Sequence, residues 1–126
     1  MGLTYANIKL SNPRQENLLP IEINALVDSG ALMLCIPQHV AVQLSLETLD
    51  EREVFTADGK LHKVPYVGPV KVAFDKRFCF VGALVIGDET LLGAVPMEDM
   101  DVVIHPASQT LSVNPKNPNI PTYKIK

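Results

Sequence analysis

Cysteine is scarce in this chain, with only Cys35 and Cys79. Two such residues make no disulfide framework, so both read as buried reduced thiols of a cytoplasmic protein. Positive charge is also thin. Eleven Lys and Arg face 14 Asp and Glu, for a net charge of −3. The basic residues are scattered, with Lys76-Arg77 the tightest pair, which excludes the basic stripe of a nucleic-acid-binding domain. Long apolar runs are missing too. The uncharged stretch from Phe78 to Gly87 is about half of the ~20 residues a membrane helix needs. Met1-Gly2-Leu3-Thr4-Tyr5 lacks the basic and apolar regions of a signal peptide. Gly2 is not followed by Ser or Thr at position 6, where Ala6 stands, so a myristoylation motif is absent. His39, His62 and His105 lie too far apart to suggest metal ligands, and no cofactor motif is present.

What is there suffices for one packed domain. The chain has 126 residues, of which 47% are hydrophobic and 20% charged. A chain of that length buries roughly two-thirds of its unfolded surface and needs no metal or disulfide to build a core.

Alternation dominates the pattern. Ala6, Ile8 and Leu10 alternate with polar residues, as do Ile21, Ile23 and Ala25, and Val70, Val72 and Phe74. Each reads as a strand with one buried face. Phe78 to Ile86 is apolar at nearly every position and reads as a strand covered on both sides. Asn12-Pro13 marks a turn, and Asp58-Gly59 between 53–57 and 60–64 marks a hairpin tip of type I′. Helical signal is confined to two short segments. One starts with Pro37 at its first position and turns Val40, Ala41 and Leu44 to one side. The other starts at Pro96, with Glu98 and Asp99 in its first turn. The expected fold class is all-β, with two short helices and a closed or strongly curled sheet. The domain spans 1–113. The tail 114–126, with Pro115, Pro118 and Pro121, reads as extended, with an edge strand at 123–125 and a place at a subunit interface.

The segment Ala25-Leu26-Val27-Asp28-Ser29-Gly30-Ala31 carries the chemistry. An apolar strand runs into a carboxylate and then into a second apolar run, Leu32 to Ile36. An unpaired carboxylate costs several kcal/mol to bury, so the chain must compensate Asp28 or use it. Ser29 can supply a hydroxyl, and Gly30 lets backbone or ligand approach closely. A tight structural turn is the alternative at this point. A faint echo of the segment recurs in Leu91-Leu92-Gly93-Ala94.

With these motifs in order, the chain from about Thr4 to Val113 resembles the retropepsin-like aspartic proteases: the retroviral enzymes, the DNA-damage-inducible protein family and small bacterial relatives. The likeness lies in the apolar strand entering Asp28-Ser29-Gly30-Ala31 and in the hairpin with its tip near Ala57-Asp58-Gly59. It continues in a bent strand pair over 64–74 and 77–87, then Leu91-Leu92-Gly93, a short helix, and strands over 102–105 and 110–113.

The resemblance implies an aspartic endopeptidase with Asp28 as the catalytic residue. This chemistry needs two carboxyls sharing one proton, and the chain holds one Asp-Ser-Gly. The site is therefore expected at the two-fold axis of a homodimer, acting on a peptide or protein substrate. By the same resemblance Ser29 ties the two catalytic loops together, and Gly30 and Ala31 line the cleft. Leu91 walls a side-chain pocket, and the tip Thr56-Ala57-Asp58-Gly59 closes over the peptide. The chain departs from the retroviral pattern in three places. The tip has one glycine, Leu32 replaces an acid, and Ala94 replaces an arginine. These departures keep open a domain of the same fold that binds peptides or dimerises without catalysis. Cys35 and Cys79, in apolar runs, are not expected to be nucleophiles, and 98–101 lacks a calcium-loop pattern.

Overall fold

The computed structural model describes residues 2–126. The described residues form nine strands and two helices. Strands β1 (Thr4–Ser11) and β2 (Ile21–Val27) pair antiparallel from Thr4↔Val27 to Leu10↔Ile21. In β1, Thr4, Ala6, Ile8 and Leu10 are buried and the residues between them are exposed, as the alternation requires. The loop after β1 turns at Asn12, which is buried. Its side-chain amide donates to the carbonyls of Leu44 (2.9 Å) and Ser45 (3.3 Å), tying the loop to the end of the first helix.

Strand β3 (Leu34–Ile36) leads into α1 (Gln38–Gln43). Pro37 caps this helix in an extended conformation, one position earlier than expected, while Val40, Ala41 and Leu44 are buried as predicted. Strands β4 (Glu47–Phe55) and β5 (Leu61–Phe74) form the hairpin, and β6 (Arg77–Val85) follows. Strand β7 (Leu91–Leu92) precedes α2 (Ala94–Met100), and β8 (Val102–His105) pairs with β9 (Thr110–Val113).

The main sheet runs β1-β2-β7-β3-β6-β5-β4, and β1 also pairs with β5. That second pairing closes six strands into a ring and leaves β4 outside it, held only by the first half of β5. Inside the ring Ile8, Leu10, Leu34, Ile36, Leu44 and Leu92 are fully buried. Each such side chain contributes roughly 1.5–3 kcal/mol of hydrophobic burial. Among the described residues no helix is long and apolar enough to cross a membrane.

Four local expectations are corrected. The first half of β6 is covered on one side only. Cys79 points inward, whereas Phe78 and Phe80 are each 54% exposed and meet edge to face at 5.7 Å, with the Lys71 ammonium over Phe78. The hairpin tip is not type I′. Only Gly59 has positive φ, and its N–H donates to the Thr56 carbonyl (2.9 Å), the pattern of a turn closed by a left-handed glycine. Helix α2 begins at Ala94, capped by Gly93, so Glu98 and Asp99 lie in its second half rather than its first turn.

The tail forms no strand at 123–125. Asp101 gathers it instead. Its carboxylate accepts from the Asn114 amide (3.0 Å), the Asn117 amide (2.8 Å) and the Thr122 N–H (3.0 Å). Buried Arg77 completes the junction by donating to the carbonyls of Met100 (2.8 Å), Asp101 (3.2 Å) and Asn117.

Candidate functional site

Asp28 sits one residue beyond β2, where the chain is gripped from two directions. Parallel pairing with β7 aligns Leu26 with Leu91 and Val27 with Leu92. The Leu26 N–H donates to the Thr90 carbonyl (2.9 Å) and the Asp28 N–H to the Leu92 carbonyl (3.0 Å). The faint echo between the two segments thus corresponds to two strands lying side by side.

The loop then closes on itself. The Ala31 N–H donates to the Asp28 carbonyl (3.1 Å), and the Gly30 N–H to Asp28 Oδ1 (2.9 Å). On its far side, the Ala94 and Val95 N–H groups donate to the carbonyls of Ala31 and Leu32, both at 2.8 Å. This close approach explains Gly93. A Cβ there would lie 2.3 Å from the Met33 carbonyl oxygen and 2.7 Å from that of Ala31. Sequence reasoning singled out Gly93 only as part of a motif, and its physical role is to let the 31–33 backbone pass.

Asp28 is half-buried, and Oδ2 has no hydrogen-bond partner among the described residues. It opens on a cleft of about 820 Å³. The structure brings Asp28, Gly30 and Ala31 together on one side of this cleft with Leu91, and with Thr56 and Ala57 of the hairpin on the other. Ser29, Asp58 and Gly59 do not line it. Ser29 is exposed, and Gly59 points into open space with φ +80°. Asp58 is turned into its own loop, where it accepts from the Thr56 hydroxyl and from the Lys60 N–H (2.9 Å). Those two bonds, the hydroxyl first, hold its carboxyl below the usual carboxylate range. The negative charge of Asp58 is therefore tied up within the tip.

Several lining residues escaped the sequence reading. Arg52, Val54 and Phe55 come from β4, Met33 and Cys35 from the start of β3, and Leu84 and Ile86 from the end of β6. Glu47–Phe55 has no apolar alternation, and its charges carry no sequence signal of a cleft wall. Cys35, Val64 and Leu84 form a small apolar cluster behind the cleft, supporting Val54 and Leu91. Burial, with the Asp28 charge adding to it, pushes the Cys35 thiol up. Burial likewise pushes Cys79 up to about 12, so both free cysteines stay neutral. Among the described residues no three His, Cys, Asp or Glu side chains converge as metal ligands.

The rim around the Asp28 loop is apolar and open to solvent. Leu32 is 68% exposed, and Val95, bonded to it, 40%; Leu3 at 64% and Tyr5 at 40% are exposed where the start of β1 pairs with the end of β2. No family model matches the chain, and no curated protein matches its sequence.

Proposed function

We propose that two copies of this chain form an aspartic endopeptidase, with the two Asp28 carboxyls sharing one proton across the two-fold axis. The observation that carries the reading is the setting of Asp28. Its loop is fixed by backbone bonds from β7 and α2, yet its carboxylate opens on a peptide-sized cleft beneath a hairpin. A structural turn accounts for Oδ1, which accepts from the Gly30 N–H, but not for Oδ2, which faces the cleft with no partner among the described residues. A single chain offers one such group, and the exposed apolar rim of Leu3, Tyr5, Leu32 and Val95 fits burial against a second copy.

In this reading the ionised carboxyl takes a proton from water as the water oxygen bonds to the peptide carbonyl carbon. The protonated carboxyl donates to the carbonyl oxygen. When the C–N bond breaks, a proton passes to the leaving nitrogen. The hairpin inner face lies along an extended substrate, and its tip excludes water.

The test is cleavage of a broad peptide library from pH 3 to 8, wild type beside Asp28→Asn, with sedimentation of both proteins. Cuts made by the wild type alone, from a dimer, are expected. Retained cleavage in Asp28→Asn, or a strict monomer at high micromolar concentration, refutes the shared site. A folded dimer that cuts nothing moves the cleft to peptide binding without catalysis.

A further inference from the structure

We propose that Arg52 sets the sequence preference of the cleft, selecting peptides with an acidic side chain a few residues from the bond that is cut. The inference rests on the peptide-cleaving reading above and deepens it.

The hairpin has two faces. Its register pairs Asp50 with Tyr66, Arg52 with Val64, and Val54 with His62, which puts these side chains on one face. Val54, Val64 and Tyr66 pack against the cluster of Cys35 and Leu84, so this face looks into the cleft. Arg52 is the one basic residue among the described residues that line it, beside the carboxylates of Glu53 and, across the cleft, Asp28.

The guanidinium is held in place before any ligand arrives. Its central carbon lies 4.1 Å above the Tyr66 ring, and Nε donates to Asp50 Oδ2 at 3.1 Å. The ring is itself seated on Gly82, where a Cβ would come within 2.1 Å of it. One face and one edge of the guanidinium are thus taken. The Nη1 and Nη2 edge has no partner among the described residues, and the side chain is 46% exposed. A planar fork, fixed and half-shielded, matches the two oxygens of a carboxylate and loses little entropy in binding one. The exposed Asp50 pair engages Nε and leaves the Nη1 and Nη2 edge for a second carboxylate.

Position sets the subsite. Arg52 is four residues back along β4 from Thr56 at the tip. That is ~13 Å of strand, or about three to four residues of an extended peptide, from the point beneath the tip. In a two-fold dimer the same cation meets the peptide on both sides of the bond. The preferred substrate therefore carries Asp or Glu about three to four residues before or after its cleaved bond.

The test uses matched peptides with Glu or Gln at those positions, all with amidated C-termini, against the full-length protein and its Arg52→Gln and Arg52→Lys variants. Wild type is expected to favour the Glu peptides by about 10-fold or more in kcat/KM, mostly through KM and less at high salt. Arg52→Gln is expected to bring the ratio to about one. Arg52→Lys, which keeps charge but loses the fork, is expected between the two. Equal use of Glu and Gln peptides by the wild type, or an undiminished preference in folded Arg52→Gln, overturns the proposal. Peptides with a free C-terminus form a second arm, and a preference that appears only there assigns the fork to a chain terminus and likewise overturns it. The Kd of the same peptides for Asp28→Asn separates the two readings. Charge-selective binding lost on adding Arg52→Gln supports the Arg52 site even if no peptide is ever cut.

Discussion

The Asp28 loop and the β4–β5 hairpin face each other across one cleft, and the chain holds them in different ways. The loop exchanges backbone bonds with β7 and α2, and Gly93 lets two segments pass at a distance no side chain allows. Strand β4 and the β5 residues nearest the tip, 61–65, lie outside the closed ring. Most of β4 is exposed, including Phe55 at 78%, and Val54, Val64 and Tyr66 are what pack the hairpin against the Cys35 and Leu84 side chains. A two-stranded ribbon is marginal by itself. One wall of the cleft is thus rigid, and the other can move at small cost. A site that must position a carboxylate and still admit a chain uses both properties.

The sharpest way to break this contrast is Gly93→Val. The new side chain meets backbone oxygens of Ala31 and Met33, so the Asp28 loop must shift. A loss of about 3–5 kcal/mol in a urea melt is expected, together with loss of cleavage. A variant with wild-type stability and activity would show that the loop is not the rigid wall.

Acid provides a second probe, away from both walls. Asp101 is held below the ordinary carboxylate range by the Asn114 amide first, then by the Thr122 N–H, the Asn117 amide and the nearby Arg77. A carboxyl depressed in the folded state contributes fully above its unfolded pKa of about 3.9 and loses that contribution as pH falls through the folded value. The protection of amides in 114–126, measured against their intrinsic exchange rates, is therefore expected to fall below about pH 4 and to stay constant from pH 5 to 8. Asp101→Asn should remove that pH dependence, while protection in the Asp28 loop is unchanged throughout.

The smallest effect on stability is expected from Asp58→Ala. Asp58 ties Thr56 to Lys60 at the exposed tip and touches nothing in the body. The global melting temperature should not move. Exchange at 56–60 should speed up, and KM should rise more than kcat falls. A drop in melting temperature would mean that the hairpin is more firmly built into the fold than the contrast allows.

Much of this architecture was legible in the residues. The alternation in β1 and β2 named their buried faces correctly, and Asp28-Ser29-Gly30 stood out because a carboxylate at the end of an apolar strand calls for a reason. Asp58-Gly59 located the hairpin tip, though not its turn type. Phe78 and Phe80 misled, because an apolar run says that a strand can be covered and not whether anything is there to cover it. Arg52 stayed hidden among charges, since its meaning depends on Tyr66 and Gly82, which lie on other strands.

Strand faces, turns and short helices follow from neighbours a few residues apart, whose periods are written in the chain. The closure of β1 onto β5, the pairing of β2 with the two-residue β7, and the gathering of the tail by Asp101 join distant segments. Those pairings are chosen by the packing of the whole core, because no local pattern is long enough to specify them, and the strand pairings among them set Asp28 and Arg52 on one cleft.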